Sequence, residues 1–205
     1  MNESIAPQQP KADLKLQAEL SDLWRTLDSF ARRSLDILIS GLGILLLLPI
    51  IILLALLIKR DSPGPVFYWG ERVGRHNRPF RILKFRTMYE ETASYSGPKV
   101  TGLGDPRITP LGQWLRDTKI NELPQLWNVL KGDMSLVGPR PEDQDFVAHW
   151  PADVREVLLS VRPGITSPAS VLYRDEENML QAGNVVDQYL KSILPSKLRL
   201  DLLYV

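Results

Sequence analysis

The sequence predicts an α+β protein, mainly α, attached to a membrane, and three observations carry that expectation. Ile37 to Ile58 is an uncharged apolar run of 22 residues; a short aromatic hairpin pattern follows it; the remainder breaks into short helices opened by caps and prolines. The 205 residues fit one domain with an appendage. With 25 Lys+Arg against 24 Asp+Glu, the net charge of +1 argues against a nucleic-acid binder, so any charge-driven recognition must come from local clustering. The chain has no cysteine, which excludes disulfides, thiolate catalysis and Cys-ligated metal centres.

Residues 1–31 read as an N-terminal extension. Its first ten residues are polar and proline-containing, as in a loose terminus. Leu16, Leu20, Leu23, Leu27 and Phe30 then recur at helical spacing. That stripe suits a lipid surface, a second copy of the chain in a homo-oligomer, or the chain's own domain.

Residues 32–60 form the membrane segment. As a helix, the run would reach about 33 Å, enough to cross a hydrocarbon core of about 30 Å. It starts too late and runs too long for a cleaved leader. Pro49 divides it and removes an internal hydrogen bond, and cations flank both ends, Arg32 and Arg33 before and Lys59 and Arg60 after. A kinked spanning helix and a re-entrant helix that returns to the cytoplasmic face both accommodate the proline; the symmetric cations favour the second.

Residues 61–205 make up the soluble part. Asp61 to Pro65, DSPGP, is a turn. Phe67 to Trp69 and Phe80 to Met88 read as strands joined at Gly74 to Asn77. Arg72, Arg75, Arg78, Arg81, Lys84 and Arg86 gather cations here, suited to lipid headgroups or a phosphorylated ligand. Glu90 to Lys99 reads as a polar loop. Thr109-Pro110 caps a helix through about Asp117, and Asn121 is expected to cap another that Gly132 stops. Arg140, between Pro139 and Pro141, and Arg162, before Pro163-Gly164, are guanidinium forks on stiff backbone, suited to phosphate. No phosphate-binding glycine loop is present, and His76 and His149 lack metal-ligand spacing.

The segments RRSLDILIS, DSPGPVFYWGERVG, PFRILKFRTM, INELPQLWNVLKGDMSLVGPRPE and VRPGIT, with the proline-containing apolar run, closely resemble the bacterial sugar transferase family, the monotopic phosphoglycosyl transferases. The resemblance covers Arg32 to Val205. It implies a re-entrant helix broken near Pro49 on the cytoplasmic face of the inner membrane. It also implies interfacial helices around the active site and transfer of a sugar 1-phosphate from a UDP-sugar to polyprenol phosphate, releasing UMP. This is the first membrane step of glycoconjugate or exopolysaccharide synthesis. By resemblance Glu122 holds Mg²⁺, Arg140 and Arg162 bind donor phosphates, and Lys84 and Arg86 reach phosphate or headgroups; Arg72, from the cation cluster, is a further candidate for substrate binding.

The sequence departs from the family at the nucleophile. The family's Asp-Glu pair aligns with Asn121 and Glu122, and an amide is a very poor nucleophile. A disabled enzyme, direct transfer or another carboxylate such as Asp117 or Asp133, and a silent homologue that binds donor or pathway partners all fit the substitution. After VRPGIT the family often continues Gly-Trp-Ala-Gln. Here Ser167 to Ser170 stand instead, followed by Asp175, Glu176 and Glu177, so the sugar pocket does not carry over. The C-terminus at Val205 is expected to be short relative to the family.

Overall fold

The computed structural model describes residues 11–90, 97–180 and 184–205; the side chains of residues 11–19, 21, 22 and 25 also lie outside the description. The expected loose terminus, most of the polar loop after Glu90 and the Leu16 end of the apolar stripe therefore fall outside it.

Helix α1, Lys11–Asp61, joins the N-terminal stripe and the apolar run in one element, with Pro49 inside it. Leu20, Leu23, Leu27 and Phe30 are all exposed, so this part of the stripe does not pack on its own domain. Farther along, Asp36, Ser40, Leu54 and Ile58 are buried, and Arg33, Gly43, Leu47 and Ile51 partly so, marking one helical face against the protein. The other face leaves Leu38, Leu45, Leu46, Leu53 and Leu56 more than half exposed, an apolar surface suited to lipid.

The protein holds this helix at both ends of the apolar run. Near its start, Arg33 donates to the carbonyls of Val129 and Leu130 at 2.7 and 2.9 Å. Asp36 accepts from Ser135 Oγ at 2.8 Å and from the Leu136 amide at 2.9 Å. Near its finish, Leu54 and Ile58 share an apolar cluster with Phe85 and Leu115. The turn that follows is fastened by Arg86, which donates to the carbonyls of Pro63 and Ser62. Gly64 sits there at φ +122°, where a side chain is strained.

Strands β1 (Phe67–Val73) and β2 (Pro79–Phe85) form the expected antiparallel hairpin, pairing Gly70 with Ile82 and Tyr68 with Lys84. Its connection is a short 3-10 turn, Arg75–Asn77, with His76 and Asn77 at positive φ. Met88 leaves the strand and bridges Ile108. Helix α2 (Pro110–Asp117) begins at Thr109, whose side chain accepts from the Gly112 amide as a cap.

The next segment corrects an expectation. Lys119, in the left-handed region at φ 60°, starts a 3-10 turn, Ile120–Gln125, that runs into helix α3, Leu126–Lys131. Asn121 is thus inside the turn, and its side chain caps nothing. Gly132, at φ 100°, ends α3 as expected. The buried Asn128 clamps α3 to the hairpin, accepting from the Leu83 amide at 2.9 Å and donating to the Arg81 carbonyl at 2.8 Å.

Strands β3 (Ser135–Val137) and β4 (Gly164–Thr166) pair in parallel, a sheet the sequence did not announce. They approach so closely that a Cβ on Gly164 would lie 2.1 Å from the Gly138 nitrogen. Short helices α4 (Gln144–Val147), α5 (Ala152–Leu158), α6 (Pro168–Leu172) and α7 (Val185–Gln188), a π-helical turn at Tyr189–Ile193, and α8 (Leu194–Leu202) complete the chain. The core formed by Phe146, Val147, Trp150, Leu158, Leu180, Tyr189 and Leu194 ties several of these elements to Val73 of the hairpin.

Candidate active site: a carboxylate held between cations

A cleft of about 760 Å³ opens between the hairpin, the 3-10 turn and the loop after β3. Glu122 is its centre. One oxygen, Oε1, accepts from Lys84 Nζ at 2.7 Å and from Arg140 at 3.0 Å, leaving Oε2 without a partner among the described residues. The hairpin supplies Lys84, the 3-10 turn Glu122, and the Pro139–Pro141 loop Arg140. Residues far apart in sequence converge because Asn128 docks α3 on β2 and the β3–β4 pair fixes the loop.

Burial works to raise the Glu122 carboxyl, but the charges of Arg140 and Lys84 outweigh it and hold the group well below the usual carboxylate range. Burial pushes the Lys84 ammonium down to about 8, with Arg140 and Arg72 adding to the effect and Glu122 opposing it. Glu122 holds Arg140 still more firmly in its charged form. At neutral pH the cluster therefore carries two cations and one anion, a surplus suited to a polyanionic ligand.

Two buried amides face the same cleft with unsatisfied atoms. Asn121 is 7% exposed and Gln125 1% exposed; Asn121 Oδ1 and Gln125 Nε2 have no hydrogen-bond partner. Buried polar atoms are rarely left unpaired, so Asn121 Oδ1 and Gln125 Nε2, like Arg86 Nε in the same lining, are available to water or a ligand. Among the described residues, no three His, Asp or Glu side chains converge as metal ligands. Mg²⁺, however, is commonly held by one or two protein oxygens together with substrate phosphates. The free Glu122 Oε2 and the orphaned Asn121 Oδ1 fit that mode of binding.

Of the cations singled out in the sequence, Arg72, Lys84, Arg86 and Arg140 line the cleft. Arg72 lies 3.6 Å from Asp143, whereas the two terminal nitrogens of Arg86 donate to backbone carbonyls and its buried Nε has no partner. Arg162 lies outside the cleft's lining and donates through Nε to the Gly132 carbonyl at 3.0 Å, bracing β4 against the end of α3. Asp117 and Asp133 are also absent from the lining; Asp117 accepts from Gln113, and Asp133 pairs with Lys131 at 3.1 Å.

Sequence reasoning missed Gln125, one turn beyond Asn121, as well as Arg116, Tyr189 and Lys197. Arg116 ties Glu177 and Thr101 across the cleft. Lys197, only 4% exposed, bonds Glu176 at 2.9 Å and the Tyr189 hydroxyl at 3.2 Å, and that hydroxyl donates to Glu142 at 2.6 Å. The acidic run after Asp175 is thus partly internal, with Glu176 and Glu177 paired inside.

A family model described as bacterial sugar transferase matches residues 27–205. The chain is 44% identical over 147 residues to a UDP-N-acetylgalactosamine-undecaprenyl-phosphate N-acetylgalactosaminephosphotransferase of Aeromonas hydrophila, covering 71% of this chain and 34% of that one. It is 42% identical over 149 residues to an undecaprenyl-phosphate glucose phosphotransferase of Komagataeibacter xylinus, covering 70% and 28%. It is 43% identical over 144 residues to a UDP-glucose:undecaprenyl-phosphate glucose-1-phosphate transferase of Caulobacter vibrioides, covering 68% and 53%. The chain spans about a third or less of the length of the first two relatives.

Proposed function

Because the chain belongs to the bacterial sugar transferase family, we propose that it moves a sugar 1-phosphate from a UDP-sugar to undecaprenyl phosphate, releasing UMP, as the first lipid-linked step of a polysaccharide. The observation that carries this reading is the cationic cleft around Glu122, adjoining a helix with a lipid-suited face. Both substrates are phosphate esters, and a site with fixed, partly buried cations stabilises charge that shifts between phosphates during transfer.

Lys84, Arg72 and Arg140 are assigned to the donor diphosphate, and Gln125 Nε2 to one of its oxygens. Arg86 and Arg162 brace the surrounding backbone. Glu122 Oε2 and Asn121 Oδ1 would hold Mg²⁺ together with the diphosphate; the bound ion would supply Lewis-acid charge on the leaving phosphate. Arg140 and Lys84 fix the orientation of Glu122, so the carboxylate stays ionised and aimed at the cleft.

We further propose that the apolar run enters the bilayer from the cytoplasmic face and returns to it, with its bend at Pro49, where the structure assigns α1 as one helix without a break. Support comes from the contacts at both ends: one soluble body holds Arg33 and Asp36 near the start and Leu54 and Ile58 near the finish. A spanning helix would place those ends on opposite sides of the membrane. Trp114 and Trp127, both about half exposed, suit the headgroup layer beside it. Because the native chain has no cysteine, single-cysteine variants at Ser34 and Arg60 report sidedness directly; labelling in opposite compartments refutes the bend.

The activity test is incubation of the full chain in lipid nanodiscs with undecaprenyl phosphate and a panel of UDP-sugars, reading UMP. Release that requires both lipid phosphate and one of the sugars is expected. No release with any donor in the panel, from folded protein, refutes the assignment.

A further inference from the structure

A second cavity, of about 410 Å³, lies against the first and shares Lys119, Glu122, Arg140 and Glu176 with it. Its walls differ in chemistry. Leu123, Leu126, Ile165 and Val171 supply apolar surface, and Arg174 adds another cation. Leu126 also contacts the membrane helix: a Cβ on Gly43 would lie 3.3 Å from its Cδ1. One residue thus joins the small cavity to the apolar run, whereas the large cleft is lined by Arg72, Lys84, Arg107 and Arg116.

Covalent transfer requires a nucleophile on the protein, and Asn121 carries none. Of the six carboxylates that line the cleft among the described residues, Glu142, Glu176, Glu177 and Asp143 are each ion-paired with a Lys or Arg, Glu122 is paired through Oε1 with both Lys84 and Arg140, and Glu90 lies at the rim beside Gly64. The acceptor itself is a phosphate monoester, largely dianionic near pH 7, and can attack without a base.

We infer that this chain transfers the sugar phosphate directly in a ternary complex, with the UDP-sugar in the large cleft and the polyprenol phosphate in the small cavity, meeting at Glu122 and Arg140. The inference rests on the function proposed above. An oxygen of the lipid phosphate bonds to the sugar-bearing phosphorus as that phosphorus's bond to the bridging oxygen breaks, and the electron pair leaves with UMP. No proton needs to move, and no phosphosugar is attached to the protein. Arg140, common to both cavities, faces both phosphates and offsets their repulsion.

The test uses the full chain in nanodiscs with radiolabelled UDP-glucose, UDP-galactose, UDP-N-acetylglucosamine and UDP-N-acetylgalactosamine. Without undecaprenyl phosphate, the expected result is no UMP burst, no labelled protein and no exchange of labelled UMP into the donor. With it, UMP and labelled lipid appear, and initial velocities give intersecting lines. A stoichiometric burst, a sugar-phosphate adduct on intact protein or parallel lines overturns direct transfer while leaving the proposed function standing. No turnover with both substrates overturns the function, and direct transfer with it. Val171→Trp, at an exposed wall of the small cavity, separates the two sites: we expect KM for undecaprenyl phosphate to rise about tenfold with KM for the donor unchanged. The reverse pattern, or no change in either constant, overturns the placement of the acceptor.

Discussion

Replacing Glu122 by Gln retains the shape of the side chain and removes the anion between Lys84 and Arg140. The two cations respond differently. Arg140 cannot shed its proton, so it bears the full loss of its partner; the pair is only partly buried, which brings the cost below the roughly 3–5 kcal/mol typical of a fully buried pair. Lys84 can escape by deprotonating, because its pKa is already down to about 8. Its own penalty at a given pH is therefore capped near the free energy of releasing that proton, about 1.4 kcal/mol for each unit below 8. The sign follows from linkage. With a folded pKa below the unfolded 10.5, the native protein gains stability as pH rises from about 8 to 10.5, whereas the variant, with Lys84 lower still, begins to gain earlier. The stability gap between native protein and variant should close between the variant's Lys84 pKa and 8. Between pH 6.5 and pH 9 the destabilisation should shrink by about 2 kcal/mol, and the remainder belongs to Arg140. Denaturant titrations followed by tryptophan emission in detergent at the two pH values measure this. A penalty independent of pH, or under about 1 kcal/mol at both, refutes the pairing; in Lys84→Met the pH-dependent part of the Glu122→Gln penalty should be absent.

Transferase activity should fall as pH rises through about 8, because Lys84 then loses the charge assigned to the donor diphosphate; a flat profile from pH 7 to 9.5 in Michaelis-saturating acceptor contradicts that role. Gly164→Ala forces a Cβ to within 2.1 Å of the Gly138 nitrogen and should destabilise by about 1–3 kcal/mol, seen as a fall in Tm of about 2–4 °C per kcal/mol, with a larger fractional loss of activity because the Arg140 loop moves. Asp36→Ala strips the acceptor from Ser135 Oγ and the Leu136 amide; hydrogen exchange at Leu136 should quicken by about tenfold or more, and unchanged protection would show that this tether carries nothing. Asn121→Asp places a carboxylate beside Glu122 and should confer a UMP burst from donor alone, absent in the native chain.

Local chemistry was legible where it decides structure by itself. Length and lack of charge disclosed the apolar run, alternation disclosed the hairpin, Thr109-Pro110 marked a helix start, and Gly132 marked a helix stop. Long-range pairing was not legible. Strands β3 and β4 are three residues each and separated by a stretch of short helices, so no periodicity reveals their contact, although two crowded glycines make it possible. The expectation for Asn121 failed because Lys119 adopts a left-handed conformation and starts the turn two residues early, which frees the amide for the cleft. Arg86 and Arg162 each donate to neighbouring backbone carbonyls, a use of the guanidinium that the sequence pattern does not distinguish from phosphate binding. Lys197 and Tyr189 escaped notice because they reach Glu142 and Glu176 only through tertiary packing.

The fastening of α1 at both ends makes the greasy rod and the reaction chamber a single mechanical part. Arg33 and Asp36 grip the end of α3 and the start of β3, a few residues from Asn121 and Arg140, so depth of insertion and alignment of the chamber are one variable. In the membrane arrangement proposed above, a thinner or thicker bilayer would be met by tilt of the whole protein or deformation of the lipid rather than by the helix sliding along the domain. Grafting a foreign anchor onto residues 61–205 would preserve attachment yet lose registration, unless Arg33, Asp36 and the small residues Gly41 and Gly43 were carried along with it.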